Sequence, residues 1–379
     1  MAKLNYSRQI DFSSDGTCKE TFESKLIYYI NRVKSLSNPY VGNKRKILFK
    51  IAKILKDSEI EDQNILDLFS GSSFFSILMK MMGKMVVAND ILLSSYIYAL
   101  AYVEQTGYIE KDKQRFLIGH DNKCANDFVL EHFSDRFTMS ECSFLDNYRA
   151  NVSEIFPRND DDLALSVIDI ASDAAPALSA LQLFVMDSCF VGGRLNKGQI
   201  LAEVEHRLSH KRNSGYEMDF KKIRWPLFEK VDSLDCNALN CDAMGLLAGK
   251  HWDKYIKPDV IYMDPPYGGQ QSDYGCMYSF FESYLVQQMP SNWNHIKDTS
   301  LNAFVNSKNY EDNFISLLEL ACDIPCLVIS YNDSSWADID YLVSVIGRYR
   351  DCEVHNLDYE YKYRDSANKT GLEYLIVAR

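Results

Sequence analysis

The tetrapeptide Asp264-Pro265-Pro266-Tyr267 combines residue types that can hold and activate an amino group, and it directly follows a short apolar run. Because proline fixes φ at about −65° and has no amide hydrogen, the carbonyls of Asp264 and Pro265 are predicted to stay out of any helix or strand ladder and to face a cleft. A carboxylate and a carbonyl can accept both hydrogens of a planar amino group, which frees the nitrogen lone pair for attack. Tyr267 offers a ring on which an unstacked base can lie.

Two other acids occupy similar places in the sequence. Asp67 lies in the apolar run Asn64 to Phe69, and Asp90 ends a run that begins at Met85. Ligands of open α/β sheets bind beyond the carboxyl ends of the strands, so three acids there predict one shared site. For the tetrapeptide alone, the alternative is a turn in which Asp264 caps a helix and Tyr267 packs.

The elements that position these acids follow an α/β pattern. Before residue 105 the apolar spacing predicts helix, strand, helix, strand and helix at 47–55, 64–69, 73–82, 85–88 and 92–103. After residue 231 it predicts strands at 259–264, 325–330, 354–363 and 372–378, with helices at 279–288, 310–322 and 339–346. Crossover helices imply parallel strands, and the turn-rich link 365–371 predicts a final hairpin with the last strand antiparallel. We therefore expect a doubly wound mixed sheet.

The middle of the chain interrupts this alternation. Residues 106–230 contain predicted helices at 126–150 and 174–189, an acidic loop and a basic segment, with no clear strands. We predict an inserted, mainly helical domain at 106–230, and a catalytic, cofactor-binding domain formed by residues 1–105 and 231–379.

Composition limits the class of protein. The chain has 379 residues, of which 46% are apolar and 25% charged, and no apolar stretch reaches the roughly 18 residues that a membrane span needs. The first residues lack a signal-peptide pattern, so we expect a cytoplasmic protein without a membrane partner. The ten cysteines occur singly, and His206 and His210 have no evident third ligand, so no metal site is predicted.

Charge is segregated along the chain although the formal net charge is −12. Residues 31–50 have a net charge of +6 and residues 194–224 of +4, whereas residues 141–175 have −6. Phosphate binding depends on lysine and arginine, so the basic stretches are the candidate surface for a nucleic acid. Ordinary surface variation is the alternative explanation.

The turn after the first strand favours a nucleoside-like cofactor without a pyrophosphate. It contains Gly71, but Ser73 stands where a second glycine would let a bulky phosphate approach. Asp90 lies 23 residues after Asp67, a spacing typical of an acid that binds ribose hydroxyls.

Five motifs in order resemble the Dam-type, alpha-group adenine-N6 DNA methyltransferases: Asn38 to Leu48, Asp67 to Ser72, Val87 to Ile91, Asn240 to Ala243, and Asp264 to Tyr267. The resemblance implies a Rossmann-like fold, S-adenosylmethionine as cofactor, and base flipping. It assigns the donor pocket to Tyr40, Lys44, Asp67, Phe69, Gly71, Asp90 and Asp242. It also makes Asp264 and the Pro265 carbonyl the acceptors for the amine, with Pro266 keeping the loop rigid and Tyr267 stacking on the base.

Some of these assignments have simpler alternatives. Tyr40 would then be a core residue, Lys44 a solvated lysine at a helix start, and Asp242 a turn cap. A weaker similarity in the inserted domain assigns Arg194 and Asn196 to the DNA backbone, and the basic segment adds Lys197, Lys211 and Arg212.

The resemblance implies methyl transfer to N6 of adenine in duplex DNA at a specific sequence, by a modification methylase or a solitary methylase. It also allows a cognate restriction endonuclease as a partner. Two alternatives remain open: an RNA adenine-N6 methyltransferase, and a catalytically silent DNA-binding or regulatory subunit. N4-cytosine methylation is disfavoured because those enzymes more often begin the motif with serine.

Overall fold

The computed structural model describes residues 21–36, 44–60, 64–105, 125–134, 137–157, 172–189, 235–249, 257–266, 274, 278–289, 304, 309–332, 336–362 and 370–379.

In the residues that the structure describes, seven strands form one mixed sheet in the order β3-β2-β1-β4-β5-β7-β6. Their bounds are β1 Ile65–Asp67, β2 Val86–Asn89, β3 Asn237–Leu239, β4 Val260–Met263, β5 Cys326–Asn332, β6 Cys352–Lys362 and β7 Thr370–Ala378. The first five strands pair in parallel, and β7 runs antiparallel to both β5 and β6. The predicted doubly wound mixed sheet with an antiparallel last strand is confirmed.

The α-helices of the described segments are α1 Phe22–Ser35, α2 Leu48–Asp57, α3 Phe74–Met81, α4 Leu93–Ala99, α5 Phe128–Phe133, α6 Met139–Ile155, α7 Ala175–Cys189, α8 Ala243–Gly249, α9 Ser279–Val286, α10 Tyr310–Leu320 and α11 Ile339–Ile346. A π-helical turn, Leu100–Glu104, extends α4. Helices α2, α3, α4, α9, α10 and α11 agree with the sequence patterns to within a few residues.

A hydrophobic cluster covers each face of the sheet. Successive residues of a strand point to opposite faces, so alternate residues join different clusters. In β4, Val260 and Tyr262 join one hydrophobic cluster, whereas Ile261 and Met263 join the other. The first cluster includes residues of α1 to α7 and α9, and the second includes residues of α8, α10 and α11. Near-continuous apolar runs are what a strand buried on both faces requires.

Four elements differ from the sequence prediction: helices α1 and α8 and strand β3 were not predicted, and the helix predicted at 126–150 is divided. The helix predicted at 126–150 is two helices, because Thr138 and Glu141 form a capping box that starts α6. Strand β3 was not predicted, since three residues are too short to show a period.

Helices α5 to α7 pack into the same core as the sheet. Tyr284 of α9 donates to the Leu145 carbonyl at 2.8 Å, and Tyr148 donates to the Ala177 carbonyl at 2.9 Å. The predicted boundaries at residues 106 and 230 lie outside the described residues, so the division into domains stays a prediction.

Candidate functional site

Three carboxylates lie at the carboxyl ends of adjacent parallel strands. Asp67 ends β1, Asp90 follows β2, and Asp264 follows β4. Strand β1 lies between the other two, with Asp67 in register with Ala88 on one side and Tyr262 on the other. The sheet order therefore gathers three acids that are far apart in the sequence at one edge, where open α/β sheets bind ligands.

The turn after β1 is fixed to the end of β2. The Ser70 N–H donates to the Asn89 carbonyl at 2.8 Å, and the Gly71 N–H donates to Asp90 Oδ2 at 2.7 Å. Gly71 has φ +46°, in the left-handed region that glycine adopts at little cost. Ser73, just before α3, is also left-handed with φ +56°, a conformation that costs a residue with a side chain more than it costs glycine.

Two asparagines that the sequence reasoning did not single out hold three loops together. The Asn89 amide donates to the carbonyls of Leu68 and Cys241 and accepts from the Cys241 N–H, each at 3.1 Å. Asn240 donates to the carbonyls of Asp90 and Ile91 at 2.9 and 3.0 Å. The only sequence feature that marks these two asparagines is their position inside the motifs Val87 to Ile91 and Asn240 to Ala243.

Asp67 is a buried acid at the carboxyl end of β1. The Ser76 hydroxyl donates to Oδ2 at 2.6 Å, while Oδ1 is buried and has no hydrogen-bond partner among the described residues. Burial raises the pKa of Asp67 to about 8, the Ser76 hydrogen bond opposes this rise, and the charges of Asp264 and Asp90 add to it. An orphaned buried acceptor is costly, which fits a ligand donor group at Oδ1.

Asp90 supports the backbone around it. Oδ1 accepts from the Leu92 N–H at 2.9 Å, and Oδ2 accepts from Gly71. Burial raises the pKa of Asp90 to about 6, although these two hydrogen bonds favour the carboxylate. Glu282 lies nearby and accepts from the N–H groups of Leu93 and Ser94, which caps the start of α4.

Asp264 forms an ion pair with Lys44, whose Nζ lies 3.1 Å from Oδ1. The same ammonium contacts Glu373 Oε1 on β7. Pro265 is buried, and Asp264 and Pro266 are half-buried. A carboxylate that pairs with an ammonium in this way has further lone pairs with which it can accept hydrogen bonds. The simpler alternative that Lys44 is solvated is wrong, because its side chain is only 6% exposed.

Asp242 and Phe69 have observed structural contacts. Asp242 is exposed, and its Oδ1 accepts from the Gly245 N–H at 2.8 Å at the start of α8, as the capping alternative predicts. Phe69 packs edge-on against Phe304, with ring centroids 5.4 Å apart. The donor-pocket roles assigned to both residues stay predictions.

Several predicted site residues lie outside the described residues: Tyr40, Tyr267, Arg194, Asn196, Lys197, Lys211 and Arg212. Of the predicted residues that the structure describes, Asp67, Gly71, Asp90, Lys44 and Asp264 come together at the carboxyl edge of the sheet. Glu373 was missed, since an acid in an apolar final strand has no motif to mark it.

In the described segments, no cluster of histidine, cysteine, aspartate or glutamate side chains has the make-up of a metal site. The same segments contain no helix with the length and apolarity to cross a membrane.

The sequence of the chain is similar to those of known DNA methyltransferases. Residues 40–144 match the family model of the D12 class N6 adenine-specific DNA methyltransferases. Over 353 residues the chain is 26% identical to the type II methyltransferase M2.HphI of Haemophilus parahaemolyticus, and the alignment covers 90% of this chain and 97% of that protein. The resemblance inferred from the motifs, and the enzyme class that it implies, are therefore confirmed.

Proposed function

We propose that this relative of the D12 class adenine-N6 DNA methyltransferases transfers a methyl group from S-adenosylmethionine to N6 of adenine in duplex DNA. Transfer takes place at a specific sequence, with the adenine flipped out of the helix. The observation that carries the proposal is the placement of Asp264, held by Lys44 at 3.1 Å, beside the strand that ends in Asp67.

The residues at the edge of β1 and β2 fit the cofactor. Asp67 Oδ1 is an unpartnered buried acceptor suited to a cationic amino group, and Asp90 stands where ribose hydroxyls bind. The left-handed Gly71 lets the backbone turn closely around a ligand. Tyr40, Lys44, Phe69 and Asp242 complete the proposed pocket. When bound, S-adenosylmethionine supplies an activated methyl group, so the protein has mainly to position the acceptor.

Asp264 and the Pro265 carbonyl accept hydrogen bonds from the two N6–H groups. These hydrogen bonds leave the nitrogen lone pair available to attack the methyl carbon. Lys44 is a charged partner that holds the Asp264 side chain in place. Pro266 limits the motion of the loop, and Tyr267 stacks on the flipped adenine. Electrostatic preorganisation of this kind is usually a large part of the rate enhancement.

DNA contacts belong to the basic part of the chain. We assign phosphate binding to Arg194, Asn196, Lys197, Lys211 and Arg212, and sequence choice to the inserted domain proposed at residues 106–230. A cytoplasmic location and a cognate restriction endonuclease fit this function.

The test is transfer of labelled methyl from S-adenosylmethionine to duplex DNA and, separately, to RNA, followed by digestion to nucleosides. We expect N6-methyladenine in duplex DNA. Label in RNA alone would favour the RNA methyltransferase alternative. Binding of DNA without binding of the methyl donor would favour the silent subunit and overturn the proposal.

A further inference from the structure

Glu373 is a fully buried acid in the antiparallel strand β7. Its side chain is 0% exposed, and Leu375 and Ile376, two and three residues further along the strand, are core residues. Burying a carboxylate is costly unless it is paired and hydrogen-bonded. Glu373 therefore needs strong local partners.

Three side chains supply those partners. The Lys44 ammonium and the Ser330 hydroxyl both donate to Oε1, the latter at 2.9 Å, and the Asn332 amide donates to Oε2 at 3.4 Å. Ser330 and Asn332 lie on β5, the strand between β4 and β7. The carboxylate is thus oriented by a paired strand and by one ammonium.

Lys44 connects this buried carboxylate to the candidate catalytic one. Its Nζ lies 3.1 Å from Asp264 Oδ1, and its backbone carbonyl accepts the N–H groups of Ile47 and Leu48 at the start of α2. Its main chain is therefore held by the helix start, and its ammonium is held between two acids.

The two acids differ in access. Asp264 is 19% exposed at the edge of the sheet, whereas Glu373 is sealed. A substrate can reach the first carboxylate and not the second. Lys44 contacts both Glu373 and Asp264, so Glu373 can act on the reaction through Lys44.

We propose that Glu373 is a positioning residue: it holds the Lys44 ammonium where that ammonium orients the Asp264 carboxylate toward the amine to be methylated. This inference rests on the proposed function. Without Glu373, Lys44 has one partner fewer and several rotamers open to it, and Asp264 loses a fixed orientation. Small errors in the placement of a catalytic group cost large factors in rate.

The test is a double-mutant cycle with Glu373→Gln, Lys44→Gln and the double variant. Single-turnover methyl transfer to DNA is measured together with the dissociation constants for S-adenosylmethionine and DNA. We expect Glu373→Gln to slow transfer about 10- to 100-fold, with both dissociation constants within about 3-fold of wild type. The double variant should be no slower than Lys44→Gln, because Glu373 has nothing to act through once Lys44 is gone.

Glu104→Gln is the matched control. Glu104 is a half-buried acid whose carboxylate accepts from the N–H of Ala238 at 2.8 Å. Ala238 lies on β3, away from Asp264. This variant should leave the transfer rate unchanged. Multiplicative losses in the double variant, or an unchanged rate in Glu373→Gln, would overturn the inference. If Glu373→Gln does not fold, Ser330→Ala, which removes one hydrogen bond to Glu373, should still slow transfer severalfold; a wild-type rate there would also overturn it. A wild-type protein that methylates no DNA would instead contradict the proposed function.

Discussion

Asp90 Oδ2 accepts a hydrogen bond from the Gly71 N–H at 2.7 Å, so the acid at the end of β2 fixes the turn that follows β1. The other oxygen accepts from the Leu92 N–H at 2.9 Å. One side chain therefore shapes both the glycine turn and the start of α4, in addition to its proposed contact with the cofactor ribose.

Replacing Asp90 by alanine should lower the free energy of unfolding by about 1–3 kcal/mol, because two backbone N–H groups lose their acceptor. It should also weaken S-adenosylmethionine binding by at least about 10-fold. Asp90→Asn keeps one acceptor oxygen and should lie between alanine and wild type in both measurements. Urea unfolding and calorimetric titration would measure these effects. Equal stability of the alanine variant and wild type would contradict the role of Asp90 in holding the turn.

Asp67 should make the protein less stable as pH rises. Its pKa is about 8 in the fold against an ordinary value of 3.8, so between these values the folded state binds a proton that the unfolded state has lost. Stability then falls by at most roughly 1.4 kcal/mol per pH unit. Asp67→Asn has no such proton, so its stability relative to wild type should increase from pH 5 to pH 8.

Thermal unfolding of the cofactor-free protein across this pH range would test the prediction. Ser76→Ala is a useful companion, because it removes the 2.6 Å hydrogen bond that favours the ionised form of Asp67. Its pH dependence should be at least as steep as that of wild type. Parallel curves for wild type and Asp67→Asn would show that Asp67 ionises normally in the fold.

The protein should be more stable with glycine in place of Ser73. Its φ of +56° costs a residue with a side chain about 1 kcal/mol, and its buried hydroxyl has no hydrogen-bond partner among the described residues. Ser73→Gly relieves both costs and should raise the free energy of unfolding by about 1 kcal/mol. Ser73→Ala removes only the hydroxyl and should gain less. Denaturant unfolding that ranks alanine equal to glycine would mean that the backbone is not strained there.

Asp264→Ala should reduce methyl transfer by at least about 100-fold, because the amine loses its carboxylate acceptor. Binding of S-adenosylmethionine should stay nearly intact. Asp264→Asn keeps the size of the side chain and removes its charge, so it separates shape from electrostatics. Single-turnover kinetics and equilibrium binding of the donor would measure both effects. Turnover retained in the alanine variant would contradict the assigned role.

Charge reversal of Lys211 and Arg212 to glutamate should weaken DNA binding and flatten its dependence on salt. Each lost phosphate contact lowers the slope of log affinity against log salt by about 0.9. Lys257→Glu with Arg348→Glu is the control, because these exposed residues lie near the amino-terminal ends of β4 and β6, away from the site. Fluorescence anisotropy would report the slopes. The same slope for wild type and the Lys211/Arg212 variant would place the DNA elsewhere.

The order of the elements could be predicted because burial on both faces leaves a strong local signal. Strands such as β4 and β5 are short apolar runs, and the amphipathic period of α2 and α11 marks them as helices. Strand β3 escaped prediction because its three residues form a strand only through pairing with β2. The break between α5 and α6 depended on a capping box inside a helical pattern, where local hydrogen bonds outweigh hydrophobic period.

The site was predictable to the extent that its chemistry lies in contiguous motifs. Asp67 ends a strand, Asp90 and Asp264 directly follow one, and neighbouring parallel strands bring such ends to one edge. The bracing by Asn89 was not visible, because an asparagine side chain has no sequence signal for the distant carbonyl and N–H groups that it reaches.

The sequence by itself determined the strand-ending acids, the glycine turn and the rigid Asp-Pro-Pro segment, because these depend on residue types and short spacings. Only the tertiary structure decided that Lys44 lies between Asp264 and Glu373, a residue 329 positions further along the chain than Lys44. The physical reason is the order of the strands: the chain returns antiparallel to place β7 beside β5, and this pairing is set by the packing of the whole sheet. Glu373 is fully buried there, and its carboxylate pairs with the same ammonium that contacts Asp264.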